Sequence, residues 1–158
     1  MIEMSADKRL EELGYELPPP PKAVGVYKPA MNVGNLCYTS GHVPLNADGT
    51  MITGCVGRGA DEQEGYLAAR QVGLTMLATL KQHLGSLDRI QRVVKIFGMV
   101  ACTEDFCGHP GVINGCSELM KEVFGDDAGV GTRSAVGMSS LPLGVMVEIE
   151  AVFELNEE

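Results

Sequence analysis

Arg133 opens a short stretch, Arg133-Ser134-Ala135-Val136-Gly137, whose other members are small or apolar. A guanidinium at the start of such a segment must reach water or meet an anion, because burying it unpaired is expensive. Its parallel N–H donors match the two oxygens of a carboxylate, so a protein glutamate or a small carboxylate ligand would satisfy it. Glu148 and Glu150 are candidate partners: two positions apart in an alternating segment, they share one face of a strand. On spacing alone they are either the solvated side of a sheet or the counter-charge of Arg133.

Other reactive side chains fit fewer roles. Cys102, Cys107, His109 and Cys116 are close in sequence and of the types zinc prefers, but their spacing matches neither a finger nor a ribbon. Cys116 also falls on the apolar side of an expected helix, so no metal is expected. The five cysteines, with Cys37 and Cys55, are odd in number and form no CxxC, which fits reduced thiols. His42, His83 and His109 accompany no nucleophile motif such as GxSxG, and His83 reads as an exposed helix residue. Neither GxGxxG nor GxxxxGK[ST] is present, so no nucleotide cradle is indicated. A formal net charge of −9 without a basic run argues against nucleic acid or anionic lipid as partner. No apolar run reaches the roughly 18 to 20 residues needed to span a bilayer. The start, Met1 to Asp7, lacks the basic-then-apolar order of a signal peptide, and the cytoplasm is the expected location.

The elements that must hold these groups can be read from periodicity. At 158 residues and 45% hydrophobic content the chain is expected to form one domain with its own core. A short helix over Ala6 to Gly14 and the extended Pro18-Pro19-Pro20-Pro21 read as an arm, residues 1–22, before a domain over 23–158. The tetraproline suits a rigid spacer or a ligand for an aromatic groove. Val24 to Tyr27 and Leu36 to Ser40, separated by the turn-prone Met31 to Asn35, predict a hairpin, and Met51 to Val56 a further strand. Asp61 followed by Glu64 is a helix-start pattern. The positions Leu67, Val72, Met76, Leu77, Leu80 and Leu84 then mark one apolar stripe, closed by Gly85. Val93 to Val100 predicts a buried strand. Pro110 begins a second helix with Val112, Cys116, Leu119, Val123 and Phe124 on one side, an assignment weakened by Gly111 and Gly115. Alternation from Val147 to Leu155 marks the last strand. The order, arm, three strands, helix, strand, helix, two strands, predicts an α+β fold with the helices on one face of the sheet.

Taken in order, these segments resemble the RidA family (reactive intermediate deaminase, also called YjgF or L-PSP) from about Ala23 to Glu154. Val24-Gly25-Val26-Tyr27 looks like the family's early GxY segment. Leu36-Cys37-Tyr38-Thr39-Ser40-Gly41-His42-Val43-Pro44-Leu45 looks like its hydrophobic strand and SGQ(I/V)P, with His42 in place of the usual glutamine. Arg133-Ser134-Ala135-Val136-Gly137, Leu141-Pro142-Leu143 and Val147-Glu148-Ile149-Glu150-Ala151 resemble the signature RSxV…LP…VEIEA. Tetraproline and the longer stretch Phe106 to Asn114 resemble one branch of the family. The resemblance implies a chorismate-mutase-like α+β fold, a mixed sheet with two helices on one face, assembled as a homotrimeric barrel with sites at subunit interfaces. It implies hydrolytic deamination of enamine/imine intermediates, such as 2-aminoacrylate, to 2-keto acids and ammonia, without cofactor or metal. Arg133 would then clamp the substrate carboxylate and Glu148 would place or activate water. Tyr27, Ser40, Gly41 and Asn114 would line the cleft, and His42 would either alter its rim or be neutral. A non-catalytic binding or sensing protein for small carboxylates is the alternative, and an endoribonuclease or translation inhibitor a third reading that the acidic balance disfavours.

Overall fold

The computed structural model describes residues 5–157; the first four residues of the expected arm and the last of the expected domain lie outside the described residues. Helix α1 (Ala6–Glu12) ends just before Gly14, whose φ of +72° turns the chain away. The helix is docked, with Ala6 and Leu10 buried in the core. Asp7 accepts hydrogen bonds from Ser86 Oγ at 2.6 Å and the Leu87 N–H at 3.2 Å, and meets Lys81 at 3.1 Å. Those bonds hold the Asp7 pKa low even though burial works the other way. The proline run that follows carries no regular element; Pro18 is buried, and Pro19 and Pro20 are exposed.

The predicted hairpin forms, but its first strand is displaced. Strands β1 (Ala30–Val33) and β2 (Leu36–Thr39) pair antiparallel with Val33 opposite Leu36. Only Gly34 and Asn35 connect them, with Gly34 at φ +61°, so the partner strand must be the residues immediately before this tight loop. Val24 to Tyr27 therefore forms no strand, and the Val24 and Val26 side chains stand in solvent. The strand expected over Met51 to Val56 is likewise reduced to β3 (Cys55–Val56), paired in parallel with β4 (Gly59–Ala60). Gly54 at φ +138° and Gly57 at φ +93° interrupt its pleat on both sides.

Helix α2 (Glu62–Leu84) opens on a reciprocal capping box. Asp61 Oδ1 accepts the Glu64 N–H and Glu64 Oε2 the Asp61 N–H, both at 2.8 Å, and Gly85 ends the helix at φ +84°. Val72, Met76, Leu77 and Leu80 are buried as expected, but Leu67 is 53% exposed. The packing face runs instead through Gly65, Ala68, Ala69 and Val72, small residues that let α3 (His109–Phe124) approach closely. A methyl group on Gly115 of α3 would strike the Tyr66 carbonyl and come within 3.0 Å of the Arg70 nitrogen of α2. The glycine that counted against a helix is the one the helix pair requires.

Strands β5 (Ile90–Ala101), β6 (Thr132–Met138) and β7 (Val147–Leu155) complete a five-stranded sheet in the order β1-β2-β7-β5-β6, with β5 and β6 parallel and the other pairs antiparallel. Residues aligned across β7, β5 and β6 define its two faces. Ala151, Ile96 and Arg133 form one row, with Ile149, Gly98 and Ala135 in the next row of the same face. This face meets the helices, since Gly98 leaves its side-chain space to Ile113 of α3. The opposite face carries Val152 with Lys95, Glu150 with Phe97 and Ser134, and Glu148 with Met99 and Val136. No helix covers it. Tyr38, Met31 and Val33 extend this uncovered face to the sheet edge, each more than 40% exposed.

Candidate functional site

Arg133 projects from β6 toward α3, where Asn114 Oδ1 accepts a hydrogen bond from its Nη1 at 2.7 Å and Ser117 Oγ another at 3.2 Å. Asn114 and Ser117 are three apart on the helix and so share the face that meets the sheet edge. Both partners are neutral. Among the described residues no carboxylate pairs with Arg133, and its Nη2 and Nε have no protein partner. Arg133 lines a cleft of about 310 Å³ between α3 and β6, together with Ile96, Lys121 and Thr132. Glu118 lines it too, with its carboxylate engaged by the Tyr66 hydroxyl. A half-buried arginine held by neutral groups with donors to spare is suited to a carboxylate ligand. Asn114 thus lies beside Arg133; Ser117 was missed, although its spacing from Asn114 was readable.

The remaining candidates gather elsewhere. The pair Tyr38 and Val152 and the bridge between His42 and Ile149 enclose three residues of the β2 chain and two of β7, a one-residue bulge at Thr39-Ser40-Gly41. Thr39 Oγ1 fills the gap by accepting the Ala151 N–H at 3.0 Å. Ser40 donates through Oγ to the Lys28 carbonyl at 2.6 Å and through N–H to the Pro29 carbonyl at 2.9 Å, which ties the segment carrying Tyr27 to this point. Tyr27 is 47% exposed, and its hydroxyl accepts the Val24 N–H at 3.3 Å. Gly41 lies directly against Glu148, so that any side chain there would run into the carboxylate. Burial, with Glu150 nearby, raises the Glu148 pKa and favours the form that can give up a proton.

His42 does not sit at a rim. It is buried, only 3% exposed, and faces α2. Its Nδ1 is 2.7 Å from the Ser40 carbonyl, an acceptor, so Nδ1 carries the proton. Nε2 therefore accepts from the Thr79 hydroxyl at 2.8 Å. Burial lowers its pKa and keeps the ring neutral.

Arg133 and Glu148 are not an ion pair, because they leave opposite faces of the sheet; Glu150 shares the Glu148 side and is excluded for the same reason. The other thiols and imidazoles form no counterpart. Cys116 is wholly buried beside Gly73 in the helix seam, which drives its thiol pKa up to about 12. Cys102 Sγ is 3.4 Å from His109 Nε2, Cys107 is exposed, and His83 is exposed on α2. Among the described residues no group of three or more His, Cys, Asp or Glu could hold a metal ion, and no helix is long and apolar enough to cross a membrane.

An α+β sheet with both long helices on one face, and an arginine lining a cleft between α3 and β6, define the class. The chain belongs to the family described as "YjgF/chorismate mutase-like, putative endoribonuclease", whose model matches residues 7–155. It is 37% identical over 147 residues to Protein TCP17 of Trypanosoma cruzi, covering 93% of this chain and 92% of that one. It is 31% identical over 133 residues to the 2-iminobutanoate/2-iminopropanoate deaminase of Dermatophagoides farinae, covering 84% and 88%. Among solved structures, protein Atu1372 of Agrobacterium tumefaciens superposes with a TM-score of 0.87 at 40% identity, over 96% of this chain and 94% of that one.

Proposed function

We propose that this protein hydrolyses reactive enamine or imine intermediates of the 2-aminoacrylate type to 2-keto acids and ammonia, at sites shared between neighbouring copies of a homotrimer. The observation that carries this reading is the unsatisfied edge of Arg133, a residue that lines a cleft of small-molecule size. An imine is already electrophilic; it needs its carboxylate held, a water placed and a proton supplied. Arg133, fixed by Asn114 and Ser117, holds the carboxylate. Water adds to the C=N carbon, the nitrogen takes up protons, and ammonia leaves as the carbonyl forms. Glu148 orients the water and passes the proton, a role its raised pKa suits. Tyr27, Ser40 and Gly41 complete the wall on the Glu148 side, and no cofactor is needed.

Because Arg133 and Glu148 lie on opposite sheet faces, the two halves meet only if one copy supplies the arginine and its neighbour the glutamate. The uncovered face, with Met31, Val33, Tyr38, Phe97, Met99 and Val152, supports such packing. Ammonia release from 2-aminoacrylate generated in situ is the test. Arg133→Ala should remove the acceleration while the trimer, seen by light scattering, persists; an undiminished rate in that variant sinks the assignment.

The same opposition of faces favours one second reading: a chain whose arginine cleft binds small carboxylates without turnover. Calorimetric binding of 2-ketobutyrate or pyruvate, lost in Arg133→Ala, with no deamination of a panel of amino-acid-derived imines, would select it. The endoribonuclease in the family description draws no support from a net charge of −9.

A further inference from the structure

We infer that His42 is a positioning residue for the acidic half of the site: its imidazole braces the bulged Ser40-Gly41 backbone that fixes where the Glu148 carboxylate lies. The inference rests on the deaminase reading for its kinetic consequence and on geometry alone for its structural one.

Four bonds converge on this residue. Its backbone N–H donates to the Ile149 carbonyl at 2.8 Å, and its carbonyl accepts the Ile149 N–H at 3.0 Å, so the main chain is locked beside Glu148. Nδ1–H reaches back two residues to the Ser40 carbonyl at 2.7 Å, across the bulge. Nε2 takes the Thr79 hydroxyl at 2.8 Å and so anchors the bulge to the C-terminal third of α2. The extra residue interrupts the ladder between Thr39-Gly41 and β7; the Thr39 hydroxyl takes the facing Ala151 N–H, and the His42 ring holds the Ser40 carbonyl. Gly41 lies against the Glu148 carboxylate, which a methyl group there would displace. A shift of the Ser40-Gly41 peptide therefore moves the surface on which Glu148 rests. His42 itself faces the helices, away from Glu148, and acts through this backbone.

The isosteres separate its two links. An Asn amide nitrogen overlays Nδ1 and can still donate to the Ser40 carbonyl, but does not reach Thr79. His42→Leu removes both links at similar volume, and Thr79→Val removes the α2 anchor alone.

The experiment measures steady-state kcat and KM for imine hydrolysis, and the Glu148 side-chain carboxyl titration by carbon NMR, in His42→Leu, His42→Asn and Thr79→Val. A misplaced water-orienting group costs up to about 100-fold. His42→Leu should lower kcat by about 10- to 100-fold with KM within about twofold, since Arg133 is untouched. It should also move the Glu148 titration midpoint. His42→Asn and Thr79→Val both keep the Ser40 link and lose the Thr79 link, so each should fall between the wild type and His42→Leu, by similar amounts. If His42→Leu fails to fold, the Asn and Val variants still decide: a Thr79→Val protein with the wild-type titration and kcat overturns the inference. So does a folded His42→Leu protein with an unmoved titration midpoint. Absence of deaminase activity in the wild-type chain would defeat the functional reading alone, because the Glu148 titration tests His42 without turnover.

Discussion

Arg133 leaves the helix-facing side of the sheet and Glu148 the uncovered side. Face is set by register, and register across β7, β5 and β6 depends on which strands are neighbours, which local pattern does not state. Once that is fixed, Glu148 becomes a carboxylate kept beside Gly41, and both residues yield tests. Gly41→Ala places a methyl group in the carboxylate's space. It should lower kcat by at least about tenfold while leaving 2-keto acid binding at Arg133 within about twofold, as read by calorimetry. Glu148 also bears on stability. Its folded pKa lies above the ordinary carboxylate value, through burial and then Glu150, so the folded state binds the proton more tightly than the unfolded one. Ionisation therefore opposes folding. The penalty is complete above the raised folded pKa and disappears as the pH falls below the unfolded value. Glu148→Gln should raise Tm near pH 8 and leave it unchanged near pH 4, in thermal unfolding followed by circular dichroism at both values. A variant with lower Tm near pH 8 would mean that the charge is stabilised.

Elements with a built-in start signal were the readable ones. Asp61 and Glu64 announced α2 by chemistry that is local, and the period of two announced β7 because its helix-facing side is buried throughout. The first strand of the hairpin was misplaced by six residues because apolar Val24 and Val26 outweighed the loop geometry of Gly34-Asn35. Leu67 misled for the same reason. Hydropathy reports that a side chain gains by leaving water; it does not say which surface will receive it. Glycines in α2 and α3 carry the opposite lesson. Gly65, Gly73 and Gly115 lower helix propensity by up to about 1 kcal/mol each, yet they allow a separation that larger residues forbid. Gly115→Ala should therefore destabilise, against its propensity, by about 1–3 kcal/mol, because the obstacle is the backbone at Tyr66 and Arg70 and not a flexible side chain. Urea unfolding with an unchanged m-value checks it; a stabilised variant would show that the helices can move apart without cost.

At the scale of the whole molecule, the proposed function requires one chain to supply two incomplete half-sites. The arginine half faces the helices at the β6 edge, and the glutamate half lies on the face no helix covers. If each active site takes Arg133 from one copy and Glu148 from the next, two inactive variants should repair each other. Arg133→Ala retains a sound glutamate half, and Glu148→Gln a sound arginine half. Unfolding and refolding the two together in equal amounts gives random trimers. A site is whole only when a Glu148→Gln copy supplies the arginine and an Arg133→Ala copy the glutamate, a chance of one half times one half. Such a mixture should recover roughly a quarter of wild-type activity per site, from parents with almost none. Sites contained within one copy would recover nothing, since every copy in the mixture is defective. Val152→Lys adds a further arm: Val152 lies between Tyr38 and Lys95 on the uncovered face, and a second cation there should drive the assembly toward monomers. That variant should lose turnover while Arg133 still binds a 2-keto acid. A monomeric Val152→Lys protein with full turnover would show that the cleft needs no neighbour.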